Sequence, residues 1–130
     1  MNKSLNKVLL MVILFYGCSQ SGTILNGISS SKWKLDRNGC NGYRETIEKQ
    51  LASELEKLKG LSEVEILNAL GRPDQNELYV HNQKFYSYWI SCAPTCENYK
   101  SNPHRLTLRL TSIGIVQSAK IFEVNDDNMK

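Results

Sequence analysis

A change of hydrophobic period in the middle of the chain constrains the fold more than any other feature. Across residues 44–59 the apolar positions are Ile47, Leu51, Leu55 and Leu58, at steps of four, four and three, which lie on one face of an α-helix. After Asp74 the step becomes two. Leu106, Leu108 and Leu110 alternate with Thr107, Arg109 and Thr111, the pattern of a strand with one buried face. Leu70-Gly71-Arg72-Pro73 marks the change, because Gly71 ends a helix and Pro73 cannot resume one.

The helix over 44–59 carries a favourable Glu45–Lys49 pair one turn apart and a stop at Gly60. A second helix starts at Ser62-Glu63-Val64-Glu65, a capping box flanked by Leu61 and Ile66 as a hydrophobic staple. Ile66, Leu67 and Leu70 would face inward. Strands are expected at 78–80 and 85–91, paired through a turn at 81–84, and at 105–111 and 115–124, joined by Ser112-Ile113-Gly114. Helices followed by antiparallel strands give an α+β fold, with two helices packed on one face of a short antiparallel sheet of three to four strands.

The N-terminus has a different logic. Lys3 and Lys7 precede the apolar run 8–16, which has the length of a signal-peptide core and about half the ~20 residues needed to span a bilayer. The expected signal peptide is residues 1–17. Without it, fourteen basic residues face thirteen acidic ones, so the formal charge of +3 falls to +1. Counterion release from phosphates needs a basic surface, so no nucleic-acid partner is expected.

Phe15-Tyr16-Gly17-Cys18 resembles the lipobox of bacterial lipoproteins, with Gly17 matching the pattern and Phe15 and Tyr16 departing from it. The resemblance implies that Cys18 is lipidated, begins the mature chain and holds it to membrane lipid; two buried acyl chains anchor firmly. Ser19 does not resemble an inner-membrane retention signal, which favours the outer membrane within the cell envelope. Residues 19–31 are rich in Ser and Gly, so 18–31 reads as the lipidated Cys and a flexible tether. The α+β domain is then 32–124, with a polar tail at 125–130.

The order Leu61-Ser62-x-x-Glu65, Leu70-Gly71-Arg72-Pro73-Asp74, an aromatic strand, Leu106 to Leu110 and Gly114-Ile115-Val116 is similar to the SmpA/OmlA family, over about residues 58–122. That family includes the small lipoprotein subunit of the outer-membrane β-barrel assembly machine. The resemblance implies a non-catalytic binding or scaffold module, with another envelope protein as partner and a role in outer-membrane assembly or maintenance. The longer first helix and the segments around Cys40 and Cys92 to Cys96 depart from it. The fold also resembles the repeat of β-lactamase inhibitor proteins, which makes a hydrolase-inhibitor-like binding domain an alternative.

With Cys18 lipidated, three thiols remain, and they allow three single bridges, each leaving one thiol over. A Cys40–Cys96 bridge would pin the segment before the helices to the sheet, stabilising by about 2–4 kcal/mol. A Cys92–Cys96 bridge would only staple a loop. Small envelope lipoproteins with Gly-Cys before the helices and Pro-x-Cys after the strand resemble this arrangement, and that resemblance implies Cys40–Cys96 with Cys92 left over. The rival from another class is a redox or metal-handling lipoprotein using these cysteines with His81 or His104. It has a single close Cys pair where a zinc site needs two, so neither metal nor cofactor is expected.

His81 and His104 are the side chains suited to acid–base work near neutral pH, and neither sits in a nucleophile motif such as Gly-x-Ser-x-Gly. Glu63 and Glu65 belong to a helix cap, Asp126 and Asp127 to the tail, so no catalytic residue is expected. Aromatic residues supply the candidate contact surface. Tyr79, Phe85, Tyr86, Tyr88 and Trp89 are five of eleven aromatics, and such residues favour interfaces. Alternation places Phe85 and Trp89 on one sheet face, and Tyr86, Tyr88 and Ile90 on the other. The expected partner-contact residues are Tyr79, Tyr86, Tyr88 and Trp89. The competing expectation is that residues 24–35, with Trp33 as a core residue, cover them.

Overall fold

The computed structural model describes residues 24–125. The signal peptide, Cys18 and the Asp126–Asp127 pair lie outside the described residues. The fold is α+β. Helices α1 (Ser30–Leu35), α2 (Tyr43–Thr46), α3 (Glu48–Leu58) and α4 (Glu63–Leu70) precede strands β1 (Gln75–Leu78), β2 (Lys84–Trp89), β3 (His104–Leu110) and β4 (Val116–Glu123). The strands pair antiparallel in the order β1-β2-β3-β4.

The helix signals act as their chemistry requires. Ser62 Oγ accepts from the Glu65 amide while the Glu65 carboxylate accepts from the Ser62 amide, which satisfies two donors that the first turn leaves open. The segment expected as one helix over 44–59 is two, α2 and α3, broken at Ile47 (φ −104°, ψ 10°). Thr46 Oγ1 donates to the Tyr43 carbonyl at 2.6 Å, a back-bond of the kind that bends helices.

Two boundaries move for identifiable reasons. The first strand is Gln75–Leu78 and not 78–80, because Val80–Asn82 forms a 3₁₀ turn in which His81 and Asn82 have φ of 63° and 58°. The flexible tether expected over 18–31 does not describe residues 24–31: Leu25 and Ile28 are buried. Gln50 donates to the Asn26 carbonyl, and Ser30 Oγ, at the start of α1, donates to the Ala69 carbonyl of α4. A Ser/Gly count overlooks Ile24, Leu25 and Ile28, and three apolar residues suffice to dock a short segment.

One continuous core lies between the helices and the sheet. Leu25, Ile28, Trp33, Leu51, Leu58, Ile66 and Leu70 meet Tyr86, Tyr88, Ile90, Leu106, Leu108 and Leu110. The alternation in β3 holds throughout, with all three leucines fully buried. A smaller cluster of Trp89, Ala93, Cys96 and Val124 closes one end.

Candidate interaction surface

Antiparallel register decides which side chains share the helix-free face of the sheet, because directly paired residues point to the same side. Glu77, Phe85, Arg109 and Ser118 form one row across the four strands. Gln75, Ser87, Thr107 and Lys120 form the next, and Trp89, Arg105 and Phe122 the third. Together with Tyr79, all of these residues except Gln75 and Trp89 line a shallow cleft of about 440 Å³. No helix covers it.

Arg105 is the centre of the third row. Its guanidinium carbon lies 5.4 Å from the Trp89 ring centroid and 5.4 Å from that of Phe122, within cation–π range of both. Nη1 donates to Gln75 Oε1 at 3.0 Å, whereas the buried Nε has no hydrogen-bond partner among the described residues. Burial pulls its pKa below the ordinary arginine value, with Glu77 opposing. Arg109 Nε donates to Gln83 Oε1 at 2.9 Å. Tyr79 and Phe85 meet edge to face, centroids 5.5 Å apart.

The contact surface expected from the aromatic cluster needs correcting. Tyr86 (4% exposed) and Tyr88 (0%) face the helices, and Trp89 (4%) is covered by the small cluster at the end of the sheet; of the four residues, Tyr79 (61%) stands open. The alternation itself is as expected, and the helices took the Tyr86/Tyr88 face. Tyr88 packs on Trp33, centroids 6.0 Å apart, and its hydroxyl donates to the Gly71 carbonyl. Tyr86 donates to Glu63, which also takes the Lys84 ammonium at 2.9 Å. These two donors hold the Glu63 carboxyl below its usual pKa, while burial and then Glu63 push the Tyr86 hydroxyl up to about 12.

Two other places concentrate polar chemistry. Arg44 and Asp74 form a fully buried ion pair at 2.6 Å. Arg44 also donates to the carbonyls of Trp33 and Trp89, and Asp74 accepts from the amides of Asn38 and Trp89. Asp36, buried beside them, accepts from the amides of Asn41 and Arg44. This network ties the turn before α2 to the end of β2, and its acceptors are engaged by backbone donors, by Arg44 and by Arg37, whose Nε lies 3.5 Å from Asp74 Oδ1. Next to it, Cys40 and Cys96 are joined in a disulfide and Cys92 is unbridged. Gly39 passes so close to the segment just after β2 that a Cβ there would sit 2.7 Å from the Ser91 carbonyl oxygen.

Cys92 and His104 line a second cleft of about 410 Å³. The Cys92 thiol is directed to the Gly39 carbonyl, and His104 Nδ1 lies 2.6 Å from Glu48 Oε1, with Nε2 toward Glu123. Sulfur and imidazole thus engage different partners, unlike a nucleophile and its base. His81 lies exposed at the hairpin turn, at the other end of β2. Among the described residues no group of three His, Cys, Asp or Glu side chains is placed to hold a metal ion.

Comparison with family models, curated proteins and solved structures found no match to this chain.

The residues that the aromatic reading passed over are Arg105, Arg109, Lys120 and Phe122. Arg109 was legible as outward-pointing from the alternation in β3. Its grouping with Lys120 and with the Trp89–Arg105–Phe122 row depends on register, which the sequence does not print.

Proposed function

We propose that the chain is a lipid-anchored protein of the cell envelope whose domain is a non-catalytic protein-binding or scaffold module, and that the helix-free sheet face is its contact surface. The observation that carries the reading is that face: aromatic and cationic side chains from β2, β3 and β4, with Tyr79 just beyond β1, line one open cleft, the composition that interfaces favour. The Cys40–Cys96 bridge suits an oxidising compartment outside the cytoplasm. The signal-like N-terminus and the lipobox-like Phe15-Tyr16-Gly17-Cys18 support anchoring through Cys18, with Ser19 favouring the outer membrane. The similarity to the SmpA/OmlA family supports a role in outer-membrane assembly or maintenance.

The test is crosslinking of the full-length protein in intact envelopes, with mass spectrometry of what is captured and fatty-acid labelling of the same preparations. Capture of a defined envelope protein that is lost in the Arg109→Glu/Lys120→Glu double variant supports the reading. Capture unchanged by that variant removes the sheet face from it, and labelling that survives Cys18→Ser removes the anchor.

A further inference from the structure

The open face has a charge asymmetry that points to the chemistry of its partner. Its cations are Arg105, Arg109 and Lys120, and Glu77 is the one acid among the cleft residues. Arg109 and Lys120 have no carboxylate partner among the described residues. Arg105 keeps Nε buried with no acceptor among the described residues, and a buried donor without a partner is costly to leave so.

The spacing is that of an extended chain. Arg105 and Arg109 are four residues apart on β3, about 13 Å along the strand at ~3.3 Å per residue. Lys120 is paired with Thr107 and so stands level with their midpoint, one strand over. A partner segment lying along β3 would present every second side chain to this face and meet Arg105, Lys120 and Arg109 in turn. Arg105 and Arg109 are partly buried in a cleft, with Tyr79 (61% exposed) and Phe122 (41%) the most open aromatics lining it. A flat bilayer reaches protruding charges better than recessed ones, so a peptide chain fits this face better than a lipid surface does.

We infer that the helix-free sheet face binds an extended acidic segment of its protein partner, with carboxylates at alternate residues received by Arg105, Lys120 and Arg109. This rests on the reading of that face as the contact surface and adds the class of ligand. The aromatic rings supply apolar contact between the charges, and they hold Arg105 in place so that little side-chain freedom is lost on binding.

The experiment titrates the full-length protein, in a neutral detergent, with a short peptide alternating Glu and Ser, and with the same peptide carrying Gln for Glu. Tryptophan fluorescence is the readout, since Trp89 lies against Arg105. The Glu peptide should bind with an affinity that falls as salt rises, and the Gln peptide should not. Arg109→Gln and Lys120→Gln should each weaken binding about tenfold, and both serve if Arg105→Gln fails to fold. Equal binding of the two peptides overturns the inference. So does binding to phosphatidylglycerol vesicles but not to the Glu peptide, which would make the ligand a membrane surface. Tighter peptide binding after removal of residues 126–130 would overturn it as well, by making the chain's own Asp126–Asp127 segment the occupant. A captured envelope protein that is lost in Arg109→Glu/Lys120→Glu, with no binding of the Glu peptide, leaves the contact surface standing and removes its acidic specificity. Failure of that capture removes the contact reading itself.

Discussion

The two faces of the sheet are made from alternate residues of the same strands, yet they meet opposite environments. On one, Tyr86, Tyr88, Leu106, Leu108 and Leu110 are buried under helices. On the other, Phe85, Arg105, Thr107, Arg109 and Lys120 line an open cleft. The same aromatic residue type serves both: Tyr86 and Tyr88 are core, and Tyr79 is surface. Aromatic content therefore marks a strand as valuable without saying which face is for packing and which is for contact. The helices decide that, and they follow the longer apolar row.

The comparison predicts large stability effects on the covered side and small ones on the open side. The largest belongs to the network at the sheet's end. Asp74→Ala leaves the Arg44 guanidinium buried without its counter-charge and should cost about 3–5 kcal/mol, read as a fall in the urea midpoint. A loss below about 1 kcal/mol would mean that water reaches Arg44. Next is the bridge: Cys40→Ser/Cys96→Ser releases a 56-residue separation and should cost about 2–4 kcal/mol. Thiol titration of the wild-type protein, denatured without reductant, should find Cys40 and Cys96 unreactive until a reductant is added.

Tyr86→Phe tests the border between the faces. It keeps the ring and removes a hydrogen bond to a carboxylate, which should cost about 1.5–3 kcal/mol. The pH dependence has a fixed sign. Glu63 is lowered in the folded state, so its contribution is present above its unfolded pKa near 4.5 and lost as pH falls through the folded value. Tyr86 is raised from 10 to about 12, so folding retains its proton and stability falls as pH rises between those values. Both limbs of the stability–pH curve should flatten in Tyr86→Phe. An unaltered curve would separate Tyr86 from Glu63.

The smallest effect is the most informative for function. Arg109→Gln and Lys120→Gln should change stability by no more than about 0.5 kcal/mol, because both charges lie on the open side. A loss as large as that of Tyr86→Phe would mean that the open face is structural and would close the contrast between the two sides.

Much of the fold could be read locally. The capping box at Ser62, the stop at Gly71 and Pro73, the alternation of Leu106, Leu108 and Leu110 and the core position of Trp33 all follow from near neighbours in the chain. The docking of residues 24–31 was legible in part, since the serine and glycine read as a tether while the alternative had residues 24–35 covering the aromatic face; the break at Ile47 was hidden behind an uninterrupted apolar stripe. The candidate surface was legible by half. Its outward residues on β3 were visible as alternation, but whether the Tyr86/Tyr88 face is contact surface or covered core stayed open in the sequence, and the structure makes it core. Strand period says that two faces exist and is silent on which one the helices cover.

The sequence by itself determined the element types, the order of helices before strands, and the sorting of each strand's residues into two sets. These are properties of neighbours three, four or two residues apart, where backbone geometry acts directly. Tertiary structure alone decided that Trp89, Arg105 and Phe122 form one row and that Arg44 meets Asp74. It also selected which of Tyr79, Tyr86 and Tyr88 remains in water. Those facts depend on register and on helix placement, and both are set by the burial of residues far apart in the chain.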